Sequence, residues 1–275
     1  GSSCAQSLQH FAVADGMAAT PVGFLDTAQL LVAAEGAGRR VDPLDEAWSE
    51  LRAAFPAEGV AYEGPEGLCR LDLPALEALL RCRIVGRLLF AREQDFNARG
   101  VWSFPPPVSP TRPFGSVVSS EEAGCSAMLR EGVFSYDQVV VRQVGLVDGI
   151  EVGLGLYASA PLRRDAFLGE YTGCVMLHGT SADEADDYQF GLPMVDPDLV
   201  VSAKDFGNLC RLINHSDDAW NAELFPVHHE GVVHVVCRCV RDIGEGEQIL
   251  VHYGPKYWES PRRRRADLRA GPARL

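Results

Sequence analysis

The stretch "NLCRLINHSDDAWNAELF" (Asn208–Phe225) decides how this chain is read. Within it the apolar pair Leu212-Ile213 runs straight into Asn214-His215-Ser216, three hydrogen-bonding side chains in a row. If such groups are buried they must find partners. Asn, Asp and Ser at the end of an apolar run ordinarily cap a strand or short helix and enter a turn. On these residues alone a polar turn is the simplest reading, and the surrounding segments decide whether a site is the better one.

A chain of 275 residues, 47% of them hydrophobic, can bury one large core or two modest ones. No apolar run reaches membrane-spanning length, so no membrane partner is expected. The stretch "FAVADGMAATPVGFL" (11–25) lacks a basic region ahead of a compact apolar core, so no signal peptide is expected. The formal charge is −13, unevenly spread. The last 15 residues, "PRRRRADLRAGPARL", carry six Arg against one Asp, a net of +5, so the remainder carries −18. An acidic body argues against direct binding to a phosphate backbone and suits a cationic partner such as a basic peptide; simple solubility explains it equally well. The run Arg262–Arg265 is the one place that could contact nucleic acid or direct the chain to a nucleus, if it is more than a solvated tail. Of 25 basic residues only Lys204 and Lys256 are lysine, which fits a GC-rich coding bias or avoidance of a residue open to modification.

Eight cysteines, at 4, 69, 82, 125, 174, 210, 237 and 239, form no CxxC pair, so free thiols in a reducing compartment and no metal site are expected. Cys237 and Cys239 alternate and should share one face of a strand as small apolar residues. His228, His229 and Glu230 read as a surface turn at a hairpin tip.

The texture changes along the chain. "DPLDEAWSELRAAF" (42–55) opens with an Asp cap and a Pro, and places Leu44, Ala47, Trp48 and Leu51 on one helical face. In residues 72–100 the stripe Leu76, Leu79, Leu80, Ile84 and Leu88 repeats that signal. "FPPPVSPTRPFG" (104–115) cannot continue either element and reads as a linker or strap. From about residue 136 short β-rich runs follow, "QVVVRQVGL", "IEVGLGLYAS", "VVHVVCRCV" and "QILVHYG", without regular strand–helix alternation. The expectation is an α+β protein: residues 1–135 mainly helical with the linker, a β-rich catalytic domain over 136–258, and a basic tail over 259–275.

Four segments of the second half belong together. "GLGLYAS" (153–159) holds Gly153 and Gly155, read as flanking a turn where backbone approaches a ligand. Residue 158 is Ala and no helix follows, which rejects a dinucleotide fingerprint. "FLGEYTGCV" (167–175) reads as a strand with Tyr171 between glycines, "GNLCRLINHS" (207–216) contains the polar trio, and "GEGEQILVHYGPKYW" (244–258) is a turn, a strand and a cluster of Tyr253, Tyr257 and Trp258.

In this order the segments resemble the SET-domain family of protein lysine methyltransferases, over roughly residues 137–258. The motifs that carry the resemblance are Gly153-Leu154-Gly155, Gly169-Glu170-Tyr171, Gly207-Asn208 leading to Arg211 and Asn214-His215-Ser216, and Gly246-Glu247 leading to Tyr253-Gly254. The resemblance implies a fold of short sheets whose C-terminal strand region threads under a loop, a pseudoknot that builds the site. It implies S-adenosylmethionine as cofactor, bound by Gly153, Leu154, Gly155, Leu156, Asn214, His215, Tyr253 and Trp258. It implies Tyr253 and Tyr171 as catalytic residues, and a substrate channel lined by Tyr171, Tyr188, Phe190 and Val251. The partner it implies is a basic peptide such as a histone tail, in the nucleus of the protein's own cell or of a host. A non-histone substrate and a non-catalytic interaction module are the alternatives. The chain departs from the family in lacking the Cys-rich segments that often flank the domain. Asp217 stands where many members have Cys, and Val251 where many have Phe or Tyr, which points to a roomier pocket.

Overall fold

The computed structural model describes residues 23–24, 55–90, 117–147, 150–178, 186–193, 198–229 and 232–258. The readings of a helix over 42–54, a linker over 104–115 and a basic tail over 259–275 lie outside them.

The Val-rich alternation after residue 138 makes a long hairpin. Val139, Val141, Leu156 and Ala158 are fully buried. They come from strands β7 (Val139–Val147) and β8 (Ile150–Ala158), paired antiparallel with Val141 opposite Leu156. Gly153 and Gly155 therefore lie inside a strand and flank no turn. The register shifts between Gln143 and Leu146, a bulge at which Gly145 and Gly153 take φ of 80° and 84°, values that glycine adopts without strain.

Residues 55–90 are tied into this β framework. β2 (Val60–Gly64) lies parallel to β7, and β3 (Gly67–Leu71) pairs antiparallel with β2, giving a sheet ordered β3-β2-β7-β8. β4 (Arg83–Ile84) runs parallel to β13 (Phe206–Gly207). The five-stranded sheet is ordered β1 (Gly23–Phe24), β5 (Leu89–Phe90), β10 (Cys174–Leu177), β12 (Leu199–Ser202) and β11 (Gln189–Gly191). A mainly helical N-terminal region is thus not what residues 55–90 form. The apolar stripe that read as one long helix breaks after Leu73–Leu80. Asp72 caps that helix by accepting the Ala75 N–H, and Arg81 ends it in the left-handed conformation at φ 49°. Ile84 and Leu88 are buried all the same, from the strand and loop beyond the helix; a three-four spacing there reflects burial without a helix.

The remaining sheet is ordered β6 (Val118–Ser119), β15 (Ala222–His229), β16 (Val232–Cys239) and β9 (Phe167–Glu170). The single strand expected over 167–175 is split: β9 joins this sheet and β10 the five-stranded one. Cys237 and Cys239 are both fully buried, as their alternation requires. The β15–β16 hairpin is as expected, but His229 is no surface residue. It is 1% exposed, with Nδ1 2.7 Å from the hydroxyl of fully buried Ser120.

The last pairing is short and decides the site. β14 (Asn214–His215) and β17 (Leu250–Val251) run parallel, with Asn214 opposite Leu250 and His215 opposite Val251. Asn221 clamps the crossing: its side chain accepts the Leu250 N–H at 2.8 Å and donates to the Gln248 carbonyl at 2.8 Å. One apolar cluster, including Val60, Leu76, Ile84, Leu156, Leu168, Leu209 and Ile249, packs beneath these sheets. Among the described residues no helix is long and apolar enough to cross a membrane.

Candidate active site

The crossing of β14 and β17 accounts for the polar trio that follows Leu212-Ile213. Asn208 caps a 3-10 turn, Leu209–Leu212, by accepting the Cys210 N–H at 3.0 Å, and its amide donates to the Glu170 carbonyl at 2.6 Å. The turn delivers Ile213 to the core and Asn214 to β14. Asn214 Nδ2 then donates to the Leu154 carbonyl at 3.1 Å, joining segments 60 residues apart. Its neighbour Gly155 is required by close packing: a Cβ there would come within 2.6 Å of Gln248 Nε2 and of a Val144 methyl.

His215 sits at the centre of an aromatic group. Its Nδ1 accepts the Tyr253 N–H at 3.1 Å, and its ring lies 5.2 Å from that of Tyr253 and 5.1 Å from that of Trp258. Tyr253 and Tyr257 are 4.5 Å apart, and Tyr257 and Trp258 5.0 Å apart. The Tyr253 hydroxyl donates to the Ile213 carbonyl at 2.8 Å. Tyr257 and Trp258 lie on the short helix Pro255–Trp258 that follows β17.

Across from this group stands a second wall. Tyr171 follows β9, is 6% exposed, and donates its hydroxyl to the Tyr188 carbonyl at 2.7 Å. Burial, then the neighbouring Tyr253, pushes the Tyr171 phenol well above the ordinary range, so it stays neutral. Phe190 lies 6.2 Å from the Tyr171 ring. Tyr188 and Phe190 thus lie beside Tyr171, while Val251 is 1% exposed within β17, beside His215 in the pairing.

The sequence reading quoted Arg211 and Glu170 as motif residues without giving them a role, and passed over Asp186. Arg211 is 8% exposed, donates to the carbonyls of Ala203, Leu80 and Lys204, and lies 3.9 Å above the Tyr188 ring. Buried Asp186 accepts the Tyr188 N–H at 2.9 Å and the Ser202 hydroxyl at 2.5 Å. Buried Glu170 accepts from His234 Nδ1 at 2.6 Å. A polar residue inside an apolar run was the available signal for Arg211, in "NLCRLIN"; the other pairs join distant segments and leave none.

One cluster has the spacing of a metal site. Ligand atoms of His215, Asp217 and His252 lie within 4.8 Å of one another. The hydrogen bonds point elsewhere. Nδ1 of His215 accepts the Tyr253 N–H, and Nδ1 of His252 accepts the Gly254 N–H at 3.0 Å. In the neutral rings the proton then sits on Nε2, which faces the Asp217 carboxylate at 3.0 Å from His215 and 3.5 Å from His252. The His215 imidazole is arranged as a donor to that carboxylate, with the His252 Nε2 at ion-pair distance from it.

Residues 153–254 match the family model of the SET domain. The chain is 27% identical over 117 residues to histone-lysine N-methyltransferase EZH2 of Chaetomium thermophilum, covering 38% of this chain and 8% of that protein. It is 30% identical over 131 residues to an H3 lysine-4 specific histone-lysine N-methyltransferase of Cryptococcus neoformans, covering 44% and 9%. The aligned part of the chain therefore spans less than a tenth of the length of either relative. Among solved structures, the ATXR5 SET domain in complex with di-methylated histone H3 superposes with a TM-score of 0.50 at 22% identity, over 70% of this chain and 89% of that one, a likeness of fold. The matched segment, residues 153–254, holds the crossing of β14 and β17 and most of the residues described above.

Proposed function

We propose that this protein transfers methyl groups from S-adenosylmethionine to lysine side chains of proteins, with basic histone tails as the first substrate class. The observation that supports it most is the meeting of Tyr253, Tyr171 and Asn214 around one crossing of β14 and β17, within the matched SET segment. The residues fit the cofactor. Gly153 has open space where a side chain would stand, Asn214 is held against the Leu154 carbonyl, and Trp258, set edge-to-face against His215, offers an aromatic face for a nucleobase. When bound, S-adenosylmethionine supplies a methyl group on a sulfonium.

The chain's own residues orient the substrate and exclude water. The ring of Tyr171 with Tyr188 and Phe190 makes an aromatic passage for the four-carbon lysine stem. Only a neutral amine attacks, and a lysine in water is protonated at neutral pH, with a pKa of about 10.4. A dry aromatic passage disfavours the ammonium. Tyr253, its hydroxyl held by the Ile213 carbonyl, is placed to orient the amine; with a phenol pKa of about 10 it is a poor base at neutral pH. The rate comes mainly from alignment of donor and acceptor. Val251 gives a smaller side chain than Phe or Tyr, and the expected products are di- and trimethyl-lysine. The edge strand β11, next to Tyr188, would take an extended peptide by main-chain pairing, and the acidic body would attract it. Residues 55–90, sharing sheets with the SET segment, serve as its scaffold. Such a substrate places the protein in a nucleus.

The test is mass spectrometry of a histone mixture incubated with enzyme and S-adenosylmethionine, beside Tyr253→Phe. Gains of two or three methyl groups on one lysine, lost in the variant, are expected. No gain on any histone, with donor binding intact, would turn the reading toward another protein substrate or a binding module.

A further inference from the structure

We propose that Arg211 is an electrostatic positioning residue: a buried cation, without a carboxylate partner, that keeps the acceptor lysine neutral in the passage. The proposal rests on the methyltransferase reading above.

The geometry carries it. All three Arg211 nitrogens bond to carbonyl oxygens, of Ala203, Leu80 and Lys204, at 2.7, 3.1 and 3.3 Å. No carboxylate lies within ion-pair distance of the guanidinium among the described residues. An arginine keeps its charge wherever it is placed. The charge is directed at the Tyr188 ring from 3.9 Å, and Tyr188 is itself held at both ends of its backbone. Its N–H goes to Asp186, and its carbonyl accepts both the Tyr171 hydroxyl and the Ala203 N–H, the latter at 3.0 Å. A protein needing only to hold this wall could use apolar packing; a buried cation satisfied by dipoles alone retains its field.

Of the other titratable groups nearby, Asp186 is the one that opposes it at this wall. Glu77 is engaged by Arg83 at 2.8 Å and by the Ile84 N–H. The Cys82 thiol is pushed up to about 12, chiefly by burial and against the pull of Arg211, so it is neutral; Asp205 and Glu77 act on it in the opposite sense to Arg211. Tyr171 is kept neutral by burial, with Tyr253 and Cys210 adding to the effect. The opposing anion is Asp186, bonded to Ser202 and Tyr188. Arg211 and Asp186 therefore bracket the wall with opposite signs. The cation lowers the pKa of a lysine in the passage, and the anion raises it.

The experiment is the pH dependence of kcat and of kcat/KM on a histone peptide, for the unaltered enzyme and for Arg211→Met, Arg211→Lys and Asp186→Asn. The kcat profile reports groups in the enzyme–substrate complex, and kcat/KM those of the free species. Removing the cation raises the bound lysine pKa, so the acid limb of kcat in Arg211→Met should move up by about one pH unit, a loss of about tenfold on that limb. The limb of kcat/KM, set by the free peptide, should stay. Arg211→Lys should keep the kcat limb near its original place with a lower plateau. Asp186→Asn should move it down. A purely structural role lowers the plateau without moving the limb, and that result in folded Arg211→Met overturns the proposal. Should Arg211→Met not fold, Asp186→Asn decides: a kcat limb that stays or moves up overturns it. Absence of methyl transfer to the histone peptide by the unaltered enzyme, with donor bound, would overturn the histone methyltransferase reading on which the proposal rests, a result distinct from an unmoved limb.

Discussion

The two sides of the candidate site are built differently. The proposed acceptor wall of Tyr171, Asn208, Arg211, Asp186 and Glu170 is buried, and each polar group in it is bonded to backbone or to another buried side chain. The proposed donor side, Asn214, His215, Tyr253, Tyr257 and Trp258, is half-buried and held by ring contacts together with a few hydrogen bonds. If the first is the proposed lysine channel it must keep its shape to discriminate a lysine, whereas the proposed cofactor surface must open and exchange its occupant every turnover. Damage to the first should register as instability, and damage to the second as lost donor affinity.

The largest effect expected is on the wall. Glu170→Ala leaves His234 buried without its carboxylate, and should lower unfolding free energy by about 3 kcal/mol in a denaturant titration. An unchanged midpoint would break the contrast. Next is Tyr253→Phe, where loss of one oriented hydroxyl should lower kcat about 100-fold while the melting temperature changes little. Trp258→Ala should weaken donor binding about tenfold by calorimetry, since stacking on a base is worth about 1–3 kcal/mol, again without a stability change. The smallest effect concerns the turn before β17. The Glu247 carboxyl is held down to about 2, chiefly by its hydrogen bond with Arg241, with Gly244 and Asn221 contributing. Its pKa is lower folded than unfolded, so its contribution is present above about pH 4.5 and fades as pH falls toward about 2. Glu247→Gln should flatten the acid limb of a stability–pH curve in that window.

What was legible in the sequence follows from the range of the interaction. The strands at 139–158 and 232–239 show themselves as runs rich in Val and Ile, whereas β15, AELFPVHH, has Val227 as its single β-branched residue and was legible only as the far side of a hairpin tip. The gathering of Tyr253, Tyr171, Asn214 and His215 was legible through the family resemblance of their motifs. The helix expected through Leu88 failed because a three-four spacing of leucines marks burial equally well in a turn and a strand. His229 read as surface because its partner Ser120 is 109 residues away. Asn221, in "DDAWNAEL", has the look of any turn residue; its value comes from the strand it clamps 29 residues later. Asp186 and Ser202 likewise carry no mark of each other.

The parallel crossing of β14 and β17 has a consequence for biosynthesis. Its bonds join Leu154 to Asn214, 60 residues on, and Ile213 to Tyr253, 40 residues on. A ribosome that has delivered everything through β16 has produced both long hairpins but neither the partner of β14 nor the hydroxyl of Tyr253. On the proposed methyltransferase reading, the nascent chain is therefore silent until β17 is threaded, and a product of translation that stops short of it lacks the completed site.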